Sequence, residues 1–347
     1  MGIKQKAVLY DSIILPALEK FPNLPILTLS RKIYQENPEV FANVDTVRAA
    51  IRYRKGKVGG RAKAAAQRSG RAAGFTKHGE EAANAGVPNP HYTIPESEAE
   101  EWPPYIMPKS ASRVLVLSDI HIPYHDVEAL KLAIKYGQDN DANAVLLNGD
   151  IMDCYQISRW EKDPRKRSFS GELEDTRQFL RWLKQEIPKA KIYFKLGNHE
   201  ERYEKFLRIK APELLDVSEF RLDVLLRFGE LGIELIDEQR PIHLGKLIVM
   251  HGHEFGRSVF SPVNPARGYY MRAKANVLAG HNHQSSHHME KNLKGDVISA
   301  WSTGCLSELH PAYSRINKWN LGFAWVDVNK DGTFEVNNMA IINGVVR

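Results

Sequence analysis

Apolar and polar positions alternate in two different rhythms along this chain, and the change of rhythm divides it. Over the first sixty residues the apolar positions recur at helical spacing: Leu9, Ile13, Leu18 and Phe21 in one stretch, residues 27–37 in a second, and Val44, Val47 and Ile51 in a third. Pro16 should kink or split the first of these helices. Asn37-Pro38 should end the second, and Asn43 is a good N-cap for the third. From residue 112 the pattern changes to short, mostly apolar runs, at 114–117, 144–147 and 192–196, of the kind found in strands buried on both faces. Helical patterns lie between them, with Val127, Leu130 and Ile134 in one and Leu173, Thr176, Leu180, Leu183 and Ile187 in the next. Further strands are expected at 247–250 and 276–278, and a hairpin from 323–328 and 333–336. Strand and helix in succession predict an α/β layered core behind a small N-terminal α-helical domain.

Charge adds a second division. Residues 48–77 hold ten Lys or Arg and no Asp or Glu, a local charge of +10 in a chain whose total is +6, so the remainder is net −4. Arg48, Arg52 and Lys55 share a helix face, and helix, turn and basic helix suggest a helix-turn-helix unit, with a three-helix cap serving assembly as the alternative. The Gly/Ala/Arg/Lys-rich stretch that follows is the composition of a basic arm that contacts phosphates of DNA or RNA. Prolines 88, 90, 95, 103, 104 and 108 surround an acidic run and read as a linker. The expected organisation is therefore a helical domain over 1–60, a basic arm and Pro-rich linker over 61–110, and an α/β domain over 111–347.

Composition bounds the class. Hydrophobic residues at 43% and charged residues at 26% are ordinary for a globular protein. No leader pattern and no membrane-length apolar run is found, so the expectation is a cytoplasmic protein without a membrane partner. The two cysteines, Cys154 and Cys305, rule out a disulfide framework and are expected to be small buried residues. Residues 327–332 copy the opening of a calcium loop, but the twelfth position is Asn338 and the flanks are strand-like, so a plain turn is expected.

The chemistry sits in five polar groups, each directly after a strand signal: SDIH at 118–121, NGDIMD at 148–153, GNHE at 197–200, HGH at 251–253 and GHNH at 280–283. Loops leaving the C-terminal ends of strands open on one side of an α/β sheet, so the five groups should converge. Carboxylate, imidazole and amide oxygen without thiolate suit an open transition-metal site rather than a closed structural zinc. The supply of seven donors, Asp119, His121, Asp150, Asn198, His251, His281 and His283, exceeds one ion's needs and argues for two.

The ordered set DxH, GDxxD, GNH, HGH, GHxH resembles the calcineurin-like metallophosphoesterase superfamily over roughly residues 112–345. The resemblance implies a β-sandwich flanked by helices and a two-metal mechanism with a metal-activated hydroxide. One ion would lie among Asp119, His121, Asp150 and His283, and the other among Asp150, Asn198, His251 and His281, with Asp150 bridging. The ions would be divalent, manganese foremost, with iron, zinc, cobalt or nickel also accommodated. His199 would protonate the leaving oxygen or steady the phosphoryl charge. Cys154 after Asp153 and Leu196 before Gly197 stand where the protein Ser/Thr phosphatases of the superfamily carry arginines, which disfavours a protein phosphatase. Arg202, Arg257 and Arg267 are then candidates to hold the substrate phosphate. The expected activity is hydrolysis of a phosphodiester in a nucleic acid or nucleotide. The alternatives are a small-molecule phosphomonoesterase and a nucleic-acid-binding protein whose phosphoesterase domain is inactive.

Overall fold

The computed structural model describes residues 3–22, 24–55, 97–99, 102–160, 168–236, 239–256, 263–311 and 314–347. The basic arm lies outside the described residues, and so does the Pro-rich linker apart from residues 97–99 and 102–110, where Tyr105–Ile106 form a strand paired with Ile242 and His243 rather than linker. The chain divides into two compact units, Met1–Trp102 and Pro103–Arg347.

The first unit holds α1 (Ile3–Lys20), α2 (Ile26–Glu36) and α3 (Val44–Arg54). Their apolar faces meet in one small core of Ile14, Leu18, Leu29, Ile33, Phe41, Val47 and Ile51. Helix α3 begins where expected, since the Asn43 side chain accepts a hydrogen bond from the Thr46 N–H. Pro16 does not split α1. Ile14 and Leu18, on either side of it, are both buried in the same core, and that packing outweighs the one backbone bond the proline removes.

The second unit is a sandwich of two sheets. One has seven strands in the order β13-β12-β11-β2-β3-β4-β5: β13 (Val345–Val346), β12 (Phe334–Ile342), β11 (Gly322–Val328), β2 (Arg113–Leu117), β3 (Ala144–Asn148), β4 (Lys191–Lys195) and β5 (Glu234–Ile236). The other has six, β1-β6-β7-β8-β10-β9: β1 (Tyr105–Ile106), β6 (Ile242–Leu244), β7 (Leu247–Met250), β8 (Val277–Ala279), β10 (Val297–Ser302) and β9 (Ser286–Lys291). Strands β2, β3, β4 and β5 run parallel, as do β7 and β8. The aliphatic runs are explained by their two buried faces. Val114, Val116, Ala144 and Leu146 point into the core between the sheets with Val249 and Leu278. Leu115, Leu117, Val145 and Leu147 point the other way, under α4 (Val127–Asp139) and α5 (Phe169–Glu186). Tyr269 and Tyr270 of α7 (Pro265–Ala273) cover the second sheet. The second unit is thus an α/β β-sandwich flanked by helices, and the first is a small helical unit. The calcium-loop look-alike is the β11–β12 turn, closed by Asn329 and Thr333.

Candidate metal centre

Parallel pairing fixes where the polar groups go. The C-terminal ends of β2, β3 and β4 lie side by side, so residues 118–121, 148–153 and 197–200 leave the first sheet at one edge. Residues 251–253 and 280–283 leave β7 and β8 in the same way. The two edges are tied together where Asn148 Nδ2 donates to the Met250 carbonyl at 2.7 Å and His251 Nδ1 lies 2.8 Å from the Asn148 carbonyl.

The backbone at this junction is bent to aim side chains inward. Asp119, His121, Asp150, His281 and His283 all have positive φ, between 52° and 67°, a region costly for residues with a Cβ. Two glycines permit the close approach: a Cβ on Gly197 would collide with Asp150 Oδ1, and one on Gly280 with Ser118 Oγ.

Three groups of side chains could each hold a cation: Asp119, His121 and His283; Asp150, His251 and His281; and His121, Asp150 and His199. Within them His283 Nε2 is 3.2 Å from Asp119 Oδ1, His251 Nε2 is 3.3 Å from Asp150 Oδ2, and the Nε2 atoms of His121 and His283 are 3.1 Å apart. Among the described residues, Asp119 Oδ1, Asn198 Oδ1 and His251 Nε2 are buried and make no hydrogen bond of good geometry, whatever groups lie near them. Buried oxygens and imidazole nitrogens left unpaired are costly, and divalent cations would satisfy them, so the residues present fit metal. Burial alone would raise the carboxyls of Asp119 and Asp150, but the surrounding imidazoles outweigh it and hold both below the ordinary range. Burial, with His251 nearby, pushes His281 down to about 4, leaving it neutral as a ligand must be.

A family model described as calcineurin-like phosphoesterase matches residues 112–298, more than half of the 347-residue chain. The chain belongs to the calcineurin-like phosphoesterase family. It is a phosphoesterase by membership, with a buried Asp/His cluster suited to divalent metal. Among curated relatives, the Gene 54 protein of Mycobacterium phage L5 is 29% identical over 231 residues, spanning 63% of this chain and 90% of that protein. The Gene 54 protein of Mycobacterium phage D29 is 28% identical over 180 residues, or 50% and 70% of the two chains. A solved dimetal phosphatase from Danio rerio covers 64% of this chain and 94% of its own at 12% identity, with a TM-score of 0.31.

Other residues of this phosphoesterase hold the loops in place, and sequence reasoning assigned them no role. Glu200 is buried, and its carboxylate accepts from the N–H groups of Asp150, Ile151, Met152 and Gly197 at 2.7 to 3.0 Å. Glu254 accepts from His251 N and Gly252 N and pairs with the fully buried Lys195. Tyr269 donates to the Gly280 carbonyl. The only signal was that Glu200 falls inside the GNHE group; Lys195 and Glu254 carry none, because their partners are remote in sequence.

The three arginines separate. Arg202, at the start of α6 (Glu201–Lys210), lies against His199, with Nη2 2.7 Å from Nε2. Arg267 is exposed on the first turn of α7. Arg257 lies outside the described residues. In the segment 155–171, Arg159 lies over the exposed Trp160 ring, and residues 161–167 fall outside the described residues.

Proposed function

We propose that this phosphoesterase hydrolyses a phosphodiester of a nucleic acid or nucleotide with two divalent cations, manganese foremost. The observation that carries the reading is the position of Asp150 between two ligand groups. Its Oδ2 lies 3.3 Å from His251 Nε2 and 4.0 Å from His121 Nε2, so this carboxylate could serve both ligand groups. Asp119, His121 and His283 would complete one side, and Asn198, His251 and His281 the other. When bound, such a pair supplies Lewis-acid polarisation of the phosphoryl group and a water acidic enough to attack at neutral pH.

The chain's own contribution is position and charge. The imidazoles and carboxylates set the donor geometry without rearrangement, because the positive-φ backbone aims them before substrate arrives. His199 stands beside Asp150, its Nε2 3.7 Å from Oδ2 and its backbone N–H donating to Asp150 Oδ1 at 2.9 Å, which sets its ring beside the candidate metal ligands.

The nucleic-acid reading rests on the N-terminal region: residues 48–77 contact the phosphates of DNA or RNA and bring them to the phosphoesterase unit. In support, α3 buries Val47 and Ile51, and Arg48 and Arg52, one turn apart and half-buried, flank that buried face. Arg54 is tied to Asp11 at 2.6 Å and is assigned to holding the helices together instead. Manganese-loaded protein assayed on bis(p-nitrophenyl) phosphate beside p-nitrophenyl phosphate tests the reading. Preference for the diester is expected. Preference for the monoester favours a small-molecule phosphatase, and no turnover of either overturns the enzymatic reading.

A further inference from the structure

Arg202 faces His199 and the Asp153 carbonyl. Its Nη2 is 2.7 Å from His199 Nε2, and its Nη1 donates to the Asp153 carbonyl at 2.8 Å. His199 Nδ1 reaches the same Asp153 carbonyl, also at 2.8 Å. The two side chains are joined through the backbone as well, since Arg202 N donates to the His199 carbonyl at 3.1 Å. The His121 ring packs edge-on against His199, with centroids 4.5 Å apart. A guanidinium has donors only, and an imidazole nitrogen facing it must accept. Nε2 therefore offers its lone pair to Arg202, and the ring proton sits on Nδ1, donated to Asp153.

Two consequences follow. The ring is pinned at both nitrogens, so its orientation beside Asp150 is set rather than averaged. And the one lone pair of Nε2 is already used, although His199 otherwise makes a cation-binding group with His121 and Asp150. We propose that Arg202 is a positioning residue for His199: it holds the ring in one tautomer and orientation and withholds it from metal coordination. In this protein the arginine serves the histidine rather than the substrate phosphate. The inference rests on the proposed hydrolytic reading for its kinetic arm, but not for its structural one.

The kinetic arm is a double-mutant cycle on bis(p-nitrophenyl) phosphate with Arg202→Met, His199→Ala and the double variant. A charged hydrogen bond of this kind corresponds to a loss of about 10- to 100-fold in kcat for Arg202→Met. KM and bound-metal content should stay near wild type. In the His199→Ala background the same change should cost nothing further, and Arg202→Lys should restore part of the rate by donating to Nε2. A rise in KM that persists without His199 would mean that Arg202 grips the phosphate directly, and the proposal falls. The structural arm uses the metal-free full chain: nitrogen NMR of the histidine rings should show His199 with its proton on Nδ1, and lose that signature in Arg202→Met. A proton on Nε2 in the wild type overturns the proposal. Should the wild type hydrolyse nothing, the NMR arm still decides the question, so the two failures are distinct.

Discussion

Next to the turn that carries the candidate ligand His251 lies a buried ion pair whose removal has a calculable cost. Lys195, the last residue of β4, is 0% exposed, and its Nζ lies 2.9 Å from Glu254 Oε1 and 3.0 Å from the Arg240 carbonyl. The Glu254 carboxylate, 5% exposed, accepts from His251 N at 3.2 Å and Gly252 N at 2.7 Å, so it shapes the turn that presents His251. Burial works against that charge, but Lys195 and the neighbouring histidines outweigh it and hold the carboxyl down at about 2. Lys195→Met keeps the volume of the stem and removes the cation, stranding a carboxylate in the interior. Breaking a buried pair in this way costs about 3 to 5 kcal/mol. For a unit of this size each kcal/mol lowers the melting temperature by about 2 to 4 °C, so a fall of about 6 to 20 °C is expected. Thermal melts in chelator avoid the stabilisation that bound metal would add. The companion double variant, Lys195→Met with Glu254→Gln, removes both charges and should recover a large part of the loss. A single variant that melts within about 2 °C of wild type, less than 1 kcal/mol by the same conversion, or a double no better than the single, would refute the assignment of this pair as a mutual charge balance.

Chelation should abolish hydrolysis, and Asp150→Asn should lose bound metal, whereas His199→Ala should keep its metal and lose about 100-fold or more in kcat; elemental analysis beside turnover separates the two. Burial pushes the Cys305 thiol up to about 11 and raises that of Cys154, so neither should react with a thiol reagent at pH 8 until denaturant is added, and rapid labelling of the native protein contradicts the buried placement. If about six charges of residues 48–77 meet duplex phosphates, log affinity should fall with log salt at a slope of about −5. Deleting the N-terminal region should remove that binding while sparing hydrolysis of a chromogenic diester, and salt-independent binding by the full chain argues against a phosphate interface.

Much of the layered fold could be read from one residue to the next. A run such as Val114 to Leu117 is apolar at every position because alternate side chains enter different cores, Val114 and Val116 between the sheets and Leu115 and Leu117 under the helices. That two-faced burial is a local property, and so is the Asp or His directly after it. The convergence of Asp119, Asp150, His251 and His283 follows from the rule that parallel strands deliver their loops to one side. The strand order was not legible, because β1 pairs with β6 and β8 with β10 across long stretches of chain, and backbone hydrogen bonding leaves no residue-specific mark. That Pro16 leaves α1 unsplit has a related reason: its local cost is visible in the sequence, and the packing of Ile14 and Leu18 that outweighs it is not. The polar partners are the clearest case. Arg202 looks from sequence like a phosphate clamp, yet the first turn of α6 sets it against His199, while Lys195 and Glu254 meet across 59 residues. A charged side chain advertises only that it needs a partner; which partner it finds is decided where the backbone brings the two together.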